Sequence, residues 1–569
     1  MSSIRLALEG FSPSAALAAF SAVPSYIYAI YAGTLVLAVS LALLRRKRNS
    51  GRSRVKVCIN TITTFQPELC RAEQEYVQRI TRASQGEEIS ASVEAGQPGY
   101  TMNVNEFMRF SRNGQSALAK DYPEQNAEAI KFQRKICTRT GLGQCTYVVP
   151  HLREEKETMQ DARNEAELVL FNVVQAMLDK ADVDPRDIDV LVVTCSLFCP
   201  TPSLTAMVVN KFGFREDVRT FNLGGMGCSG GMIGTDLIAS LLRADPHLRA
   251  MLLCTENITQ NWYKGPQRSM LIQNTLFRLG GACILFDTNT RDAKYTLEGT
   301  VIRTHLGADD DAYKCVYETT DFLGLRGVKL SKAITRVAGT AIEHNMGVLG
   351  RRVLPLTEKM LFVYHNIIKR KWLYRYRLAR AKAKGLDPES VVRPPVHQPN
   401  FHKVLTHFLI HTGGRAVIDT LEEQLSLSEQ QVAPSRAALY RYGNTSSSSV
   451  WYELAYLEQT KAMRPKQNVF MVAFGSGFKA GSAVLRSTSH VHRRPAVFDK
   501  YNPDWVWSYA SCPAPVLSEL EASFDYDAVA LRQQQGLSPG PEFLPEREVS
   551  PSYEPSPEQV PVGEGEGEG

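Results

Sequence analysis

The stretch FNLGGMGCSGGMIGTDLIASLL, from Phe221 to Leu242, gathers glycines 224, 225, 227, 230 and 231 around Cys228 and then runs into an apolar helical pattern. Small neighbours let the backbone turn sharply and let another group come close. At the start of a helix, the positive end of the dipole is expected to lower the thiol's pKa. A thiolate there can accept an acyl group from a thioester at little thermodynamic cost, because one thioester replaces another. A buried structural thiol in a packing helix is the plainer reading, and this stretch alone does not exclude it.

The surroundings give the fold class. Ile188 to Thr194 (IDVLVVT), Ala250 to Thr255 and Val469 to Phe474 are short apolar runs that read as buried strands. Asp161 to Lys180 carries its Ala, Leu, Val and Phe residues on one helical face. Strand and helix alternating from about 105 to 485 predict a layered α/β body.

Composition excludes several classes. The chain has 569 residues, 44% of them hydrophobic and 22% charged, which is ordinary for a globular protein and wrong for a disordered, collagenous or polytopic membrane chain. The formal charge of +6 is small for this length, and no nucleic-acid signature occurs, so nucleic acid is not an expected partner. The 11 cysteines form no Cys-x-x-Cys pair, and Cys195 and Cys199 lack a second pair at zinc-like spacing. Unpaired thiols in a long chain fit a reducing compartment.

The two ends differ from the body. No charged side chain lies between Phe11 and Leu44, and Ser25 to Leu44 is long enough to cross about 30 Å of hydrocarbon as a helix. Arg45, Arg46, Lys47 and Arg48 follow, with Arg52, Arg54 and Lys56 beyond, which places the body on the cytosolic side. A signal peptide would carry its charges before the apolar run rather than after it. From about 487 onward the chain is rich in Pro, Ser and Glu, ends in GEGEGEG and reads as a disordered tail, with Trp505 and Trp507 as candidates for local docking.

More chemistry appears downstream. HFLIHTGGRAVID carries His407 and His411, RYGNTSSSSVWYEL carries Asn444, and AFGSGFKAGSAVL supplies a second glycine turn at Gly475 and Gly477. A Cys, a His and an Asn far apart in sequence, each beside small residues, suggest a site assembled by folding.

These segments resemble the plant-type 3-ketoacyl-CoA synthases, the condensing enzymes of very-long-chain fatty acid elongation. NLGGMGCSGG, CSLFCPTPSLTAMVVNKF, TENITQNWYKGPQRSMLIQNTLFRLGGA, HLGADDDAYKCVY, HFLIHTGGRAVID and RYGNTSSSSVWYELAYLE carry the resemblance in order over roughly 105 to 485. It implies a thiolase-like five-layered duplicated α/β fold behind an N-terminal transmembrane anchor. On that reading 1–56 is the anchor with its basic juxtamembrane segment, and 57–335 is the first half, carrying the nucleophile. The second half, with the His and Asn, is 336–486, and 487–569 is the tail.

The resemblance further implies that Cys228 accepts the acyl chain, that His411 and Asn444 complete the triad, and that His305 and His407 are functionally important. Supporting roles for those last two, such as orienting a partner or capping a loop, stay open. The backbone N–H groups of Cys228 and Ser476 would form the oxyanion hole. Tyr440 stands where the family has a further histidine, and residues 58–104 lack the family's usual Tyr-x-Cys-Tyr run. The implied reaction joins an acyl-CoA to malonyl-CoA with loss of CO2 and needs no metal or other cofactor. A homodimer at the endoplasmic reticulum membrane, working with reductases and a dehydratase, is also implied.

Rival readings are an acyl-carrier-protein-dependent or polyketide-type synthase, a cysteine hydrolase and a non-catalytic scaffold. Arg415 and Asp419 are expected to form a structural ion pair. Lys359 to Lys384 mixes apolar residues with Lys and Arg, and reads either as a basic amphipathic segment at a membrane surface or as a helix packed on the body.

Overall fold

The strand predicted at the centre of the chain is flanked on both sides by parallel partners. β2 (Val190–Thr194) pairs in parallel with β3 (Arg219–Leu223) on one side and β4 (Ala250–Thr255) on the other. Every residue of β2 and β4 is buried, which is why both read as continuous apolar runs rather than alternating ones. The computed structural model describes residues 55–507 apart from 85–98, 115–121, 155, 386, 388, 390, 395 and 504.

Seven further strands complete the sheet: β1 (Cys58–Thr64), β5 (Gly281–Asp287), β6 (Tyr295–Leu297), β7 (Ile302–His305), β10 (His407–Ile410), β11 (Asn468–Gly475) and β12 (Lys479–Ser487). The order is β10-β11-β12-β6-β1-β5-β4-β2-β3, with β7 also on β12. β8 (Val316–Thr320) and β9 (Arg326–Leu330) form a separate hairpin. β6 and β7 pair with β12, so the sheet crosses the 335/336 boundary drawn from the sequence. β1, from the segment that gave little signal, lies between β5 and β6.

The helices make layers. α1 (Met159–Ala181) starts at a Thr158/Asp161 capping box and buries Ala162, Ala166, Val169, Val173 and Met177 on one face. It packs on β1, β4 and β5, and α2 (Leu204–Phe212) packs on β2 and β3. On the opposite outer face α4 (Ile334–Val353) covers β7 and β12, with α5 (Arg415–Leu425) against it. Between them lie α3 (Gly230–Ala244), touching β2, β4, β11 and β12, and α7 (Ser449–Gln459), touching β1, β5, β10 and β11. The order is therefore α/β/α/β/α, with the helix after Cys228 and the helix after Asn444 both in the central layer. α6 (Glu429–Tyr442) lies beside α7 and also contacts β10.

The first part of the segment read as tail is packed instead. Residues 488–507 pack on the body, burying Val491, Ala496, Phe498, Trp505 and Trp507. Trp505 stacks on Phe498 at 5.8 Å and on Tyr440 at 6.2 Å. Buried Arg441 pairs with Asp499 at 2.7 Å, and the Thr64 hydroxyl donates to the Val497 carbonyl at 2.7 Å. Trp505 and Trp507 dock on the body as the sequence suggested, while Val491, Ala496 and Phe498 went unmarked in a Pro- and Ser-rich stretch. Residues 508–569 lie outside the described residues, and so does the uncharged run Phe11–Leu44 read as the anchor. Among the described residues, no helix is long and apolar enough to cross a membrane.

Trp505→Ala should therefore lower unfolding free energy by about 3–5 kcal/mol, the usual cost of emptying a buried aromatic site. A chain ending at 507 should melt like the full chain, and one ending at 487 should not. Equal denaturation midpoints for the two truncations would show that this segment carries no structural load.

Candidate active site

Cys228 sits in the short turn Gly227–Ser229 that leads into α3. That turn fits because two glycine segments meet backbone to backbone. A Cβ added to Gly227, whose φ is +58°, would lie 2.5 Å from the Ser476 nitrogen. One added to Gly475 would lie 2.2 Å from the Met226 carbonyl oxygen and 2.4 Å from Ser229 Oγ. Neither position has room for a side chain. The same holds at Gly231, one turn further on, where a Cβ would meet the Ser447 carbonyl oxygen at 2.5 Å.

His411 follows β10 directly, and its backbone N–H donates to the Val472 carbonyl at 3.0 Å. The Asn444 backbone is held by the segment 276–278, donating to the Leu276 carbonyl at 2.9 Å and accepting from the Arg278 N–H at 3.0 Å. Its side-chain Oδ1 accepts the Ser446 N–H at 2.8 Å, which leaves Nδ2 as the group with hydrogens to offer. The Thr412 hydroxyl donates to the Gly443 carbonyl at 2.9 Å, tying the His411 segment to the Asn444 turn.

Cys228, His411 and Asn444 all line one cavity with about 1050 Å³ of empty space, some of it open to solvent. Gly475 and Ser476 line it too, and most of the remaining wall is apolar: Leu276, Phe277, Val328, Leu330, Ile334 and Phe474 among others.

The electrostatics correct one sequence expectation. Burial pushes the Cys228 thiol up to about 12, outweighing the lowering expected from the helix end. Hydrogen bonds from the Ser446 and Asn444 side chains pull it back down, and the Glu256 carboxylate pushes it further up. Burial also lowers His411 to about 3, so its imidazole is neutral at working pH. Its Nδ1 is buried with no hydrogen-bond partner among the described residues. At rest the cavity is thus lined by a neutral thiol and a neutral imidazole.

The other two histidines stand apart from the cavity wall. His407 opens strand β10 and His411 follows its last residue, so a length of strand paired with β11 lies between them. Four residues of strand span about 13 Å. His407 Nε2 lies 3.0 Å from Gln467 Oε1. His305 ends β7, is exposed, and its Nδ1 accepts the Gly307 N–H at 3.0 Å while its backbone pairs in register with Lys479. Tyr440 packs against Gly143 and Trp505. Arg415 and Asp419 do pair, at 3.4 Å.

Sequence reasoning passed over Glu256 and Ser446. Glu256 is buried and lines the cavity; it accepts from the Ser196 and Leu197 N–H groups at 3.0 and 2.8 Å and from the Ser446 hydroxyl at 2.9 Å. The signal was a carboxylate placed directly after the buried run AMLLCT, where an acid needs a reason to be.

Two tests follow from this geometry. Gly475→Ala should preserve the circular dichroism spectrum and lower turnover about 100-fold, the usual effect of displacing one oxyanion donor; unchanged turnover would remove the Gly475–Gly477 turn from the chemistry. His411 stays neutral in the native chain from pH 6.5 down to about 3, whereas in the unfolded chain it takes up a proton below 6.5. Native stability should therefore fall with pH in that window by about 1.4 kcal/mol per unit on account of this residue. Denaturant midpoints from pH 6.5 to 4 should fall less steeply in His411→Gln; an identical slope would place a solvated histidine there.

Residues 100–372 match the family described as FAE1/Type III polyketide synthase-like protein, and 402–487 match the C-terminal domain of 3-oxoacyl-[acyl-carrier-protein] synthase III. The crystal structures of the C-terminal type III polyketide synthase domain of Steely1 from Dictyostelium and of PKS-I from the brown alga Ectocarpus siliculosus superpose with TM-scores of 0.51 and 0.52. They cover 76% and 77% of this chain and 99% of each of theirs at 18% and 16% identity, which shows the thiolase-like fold alone. The 3-ketoacyl-CoA synthases 4 and 9 of Arabidopsis thaliana are each 45% identical, over 390 and 387 residues, or 68% and 67% of this chain and 70% and 71% of theirs. With that identity over that length, the chain belongs to the 3-ketoacyl-CoA synthase family.

Proposed function

We propose that this protein is a 3-ketoacyl-CoA synthase of very-long-chain fatty acid elongation. It would condense a fatty acyl-CoA with malonyl-CoA to give a 3-oxoacyl-CoA two carbons longer, CO2 and CoA. The observation that carries the reading is the meeting of Cys228, His411 and Asn444 on one largely apolar cavity.

In the first half-reaction the Cys228 sulfur attacks the acyl thioester carbon as its proton passes to neutral His411. The carbonyl oxygen, now an oxyanion, faces the N–H groups of Cys228 and Ser476, whose backbones the Gly227 and Gly475 contacts hold together. Collapse expels the CoA thiolate, which takes a proton from solvent and leaves as CoA. The acyl chain is now on Cys228, and His411 keeps the thiol's proton on Nε2.

Malonyl-CoA then loses CO2, and its electron pair moves onto the thioester oxygen as an enolate. The Asn444 carboxamide is oriented to donate there, because its Oδ1 is already engaged by Ser446. His411 Nε2 would be the second donor. Hydrogen bonds to a developing oxyanion in a dry cavity are worth about 2.7–4 kcal/mol each. The enolate carbon attacks the acyl-cysteine carbonyl, the C–S bond breaks, and the Cys228 thiolate regains its proton from His411, which returns to the neutral form. The apolar wall formed by Leu276, Phe277, Leu330 and Ile334 suits an acyl chain.

The body would be held at the cytosolic face of the endoplasmic reticulum membrane by residues 1–56, a reading supported by the uncharged run Phe11–Leu44 and the basic cluster after it. A homodimer working with reductases and a dehydratase belongs to the same proposal. Expression in a host without very long acyl chains, followed by fatty acid profiling, tests it: new longer chains are expected, and an unchanged profile from a folded protein counts against it. Asn444→Ala should still acquire an acyl group on Cys228 but release CO2 from malonyl-CoA about 100-fold more slowly. Undiminished CO2 release would take Asn444 out of the second half-reaction.

A further inference from the structure

Half of the large apolar residues left exposed among the described residues, ten of twenty, fall between Leu356 and Tyr376. They lie on Leu356–Val363, a π-helical turn at Tyr364–Lys369 and the helix Arg370–Ala383, which run on from one another. Met360, Tyr364, Ile368, Trp372 and Tyr376 recur every four residues, and each is between 45% and 57% exposed. In an α-helix that spacing drifts by about 40° per step, and the wider π turn in the middle holds back some of the drift. Trp372 and Tyr376 stack face to face at 5.7 Å.

The opposite side of this rod is occupied. His365 stacks on His397 at 4.6 Å, Asn366 exchanges hydrogen bonds with the His397 backbone at 2.9 and 2.7 Å, and Arg370 donates to the Pro394 carbonyl at 2.8 Å. Arg393 lies over the Tyr374 ring at 5.5 Å. The segment around 392–397 thus fixes which face looks outward, and the outward face is apolar. Its charge is lopsided as well. Between Leu356 and Lys384 there are nine Lys and Arg residues against one acid, Glu358, which is buried and paired with Lys403 at 2.5 Å.

We infer that this face is a second membrane contact, separate from the N-terminal run, which seats the catalytic body on an anionic lipid surface. An apolar stripe edged by cations is the pattern that sinks into the headgroup boundary of a negatively charged bilayer. A second copy of this chain would bring another nine cations against the first nine, which argues against it as the occupant. The stripe begins three residues after α4 ends, and Ile334 and Ala338 of α4 line the acyl cavity, so seating this face sets how the cavity meets the lipid.

Trp372 supplies the probe: it is 53% exposed, whereas Trp262, Trp451, Trp505 and Trp507 are buried. The full chain is reconstituted into vesicles of phosphatidylcholine and phosphatidylserine with brominated acyl chains, and tryptophan emission is recorded. Bromine should quench a fraction of the emission, Trp372→Phe should remove that fraction, and pure phosphatidylcholine vesicles should reduce it several-fold. Equal quenching in wild type and Trp372→Phe, or equal quenching in the two lipid mixtures, overturns the inference. So does protection of Trp372 from acrylamide that grows with protein concentration without vesicles, which would assign the face to a second copy. Condensation of a short, water-soluble acyl-CoA by Trp372→Phe, measured in parallel, keeps a failure of this inference distinct from a failure of the proposed activity.

Discussion

The site exists because two stretches of bare backbone press against each other. Gly227 faces the Ser476 nitrogen, and Gly475 faces the Met226 carbonyl, at distances no Cβ could share. Through this contact the cysteine at the head of α3 reaches strands β11 and β12, more than 240 residues away in sequence. The central layer is joined at the same place: the turn Gly227–Ser229 touches the turn Ser446–Ser448 that leads into α7, and α3 packs on that turn as well. Gly231 against the Ser447 carbonyl continues the pattern a turn deeper.

That packing has an electrical consequence. A half-buried thiol and a buried imidazole on a largely apolar cavity are each pushed toward the uncharged form, Cys228 upward and His411 downward. An ion pair waiting at rest is not the arrangement these surroundings favour. Transfer of the proton accompanies attack on the substrate, and the charge that develops on the substrate oxygen is met by donors already in place. Glu256 fits the same scheme as a fixed strut. Its two oxygens hold the turn at 196–197 and the Ser446 hydroxyl, and Ser446 in turn holds Asn444 by its backbone N–H. The carboxamide therefore presents its N–H groups to the cavity.

Much of this could be read from the chain. IDVLVVT and AMLLCT announced buried strands because buried parallel strands are apolar on both faces. The glycines around Cys228 marked a place where backbone must approach backbone. Other features were hidden for physical reasons. β1 lies in a stretch of threonines and isoleucines whose role depends on pairing with β5, more than two hundred residues on. His407 and His411 carry a spacing that serves a helix or a strand, and only the sheet decides between them. The helix dipole argued for a reactive thiolate, but burial, which no sequence states, outweighs it at Cys228. Composition did not show that 488–507 as a whole packs on the body: it singled out Trp505 and Trp507 but not Phe498, which stacks on Trp505.

The most direct test of the central claim is a mass measurement on the purified chain given a fatty acyl-CoA alone and then malonyl-CoA. The account predicts one acyl group on the peptide containing Cys228, stable until malonyl-CoA arrives and then discharged as a 3-oxoacyl-CoA two carbons longer, with one CO2 per product. An acyl group on any other residue, or discharge as the free acid without malonyl-CoA being consumed, would contradict it.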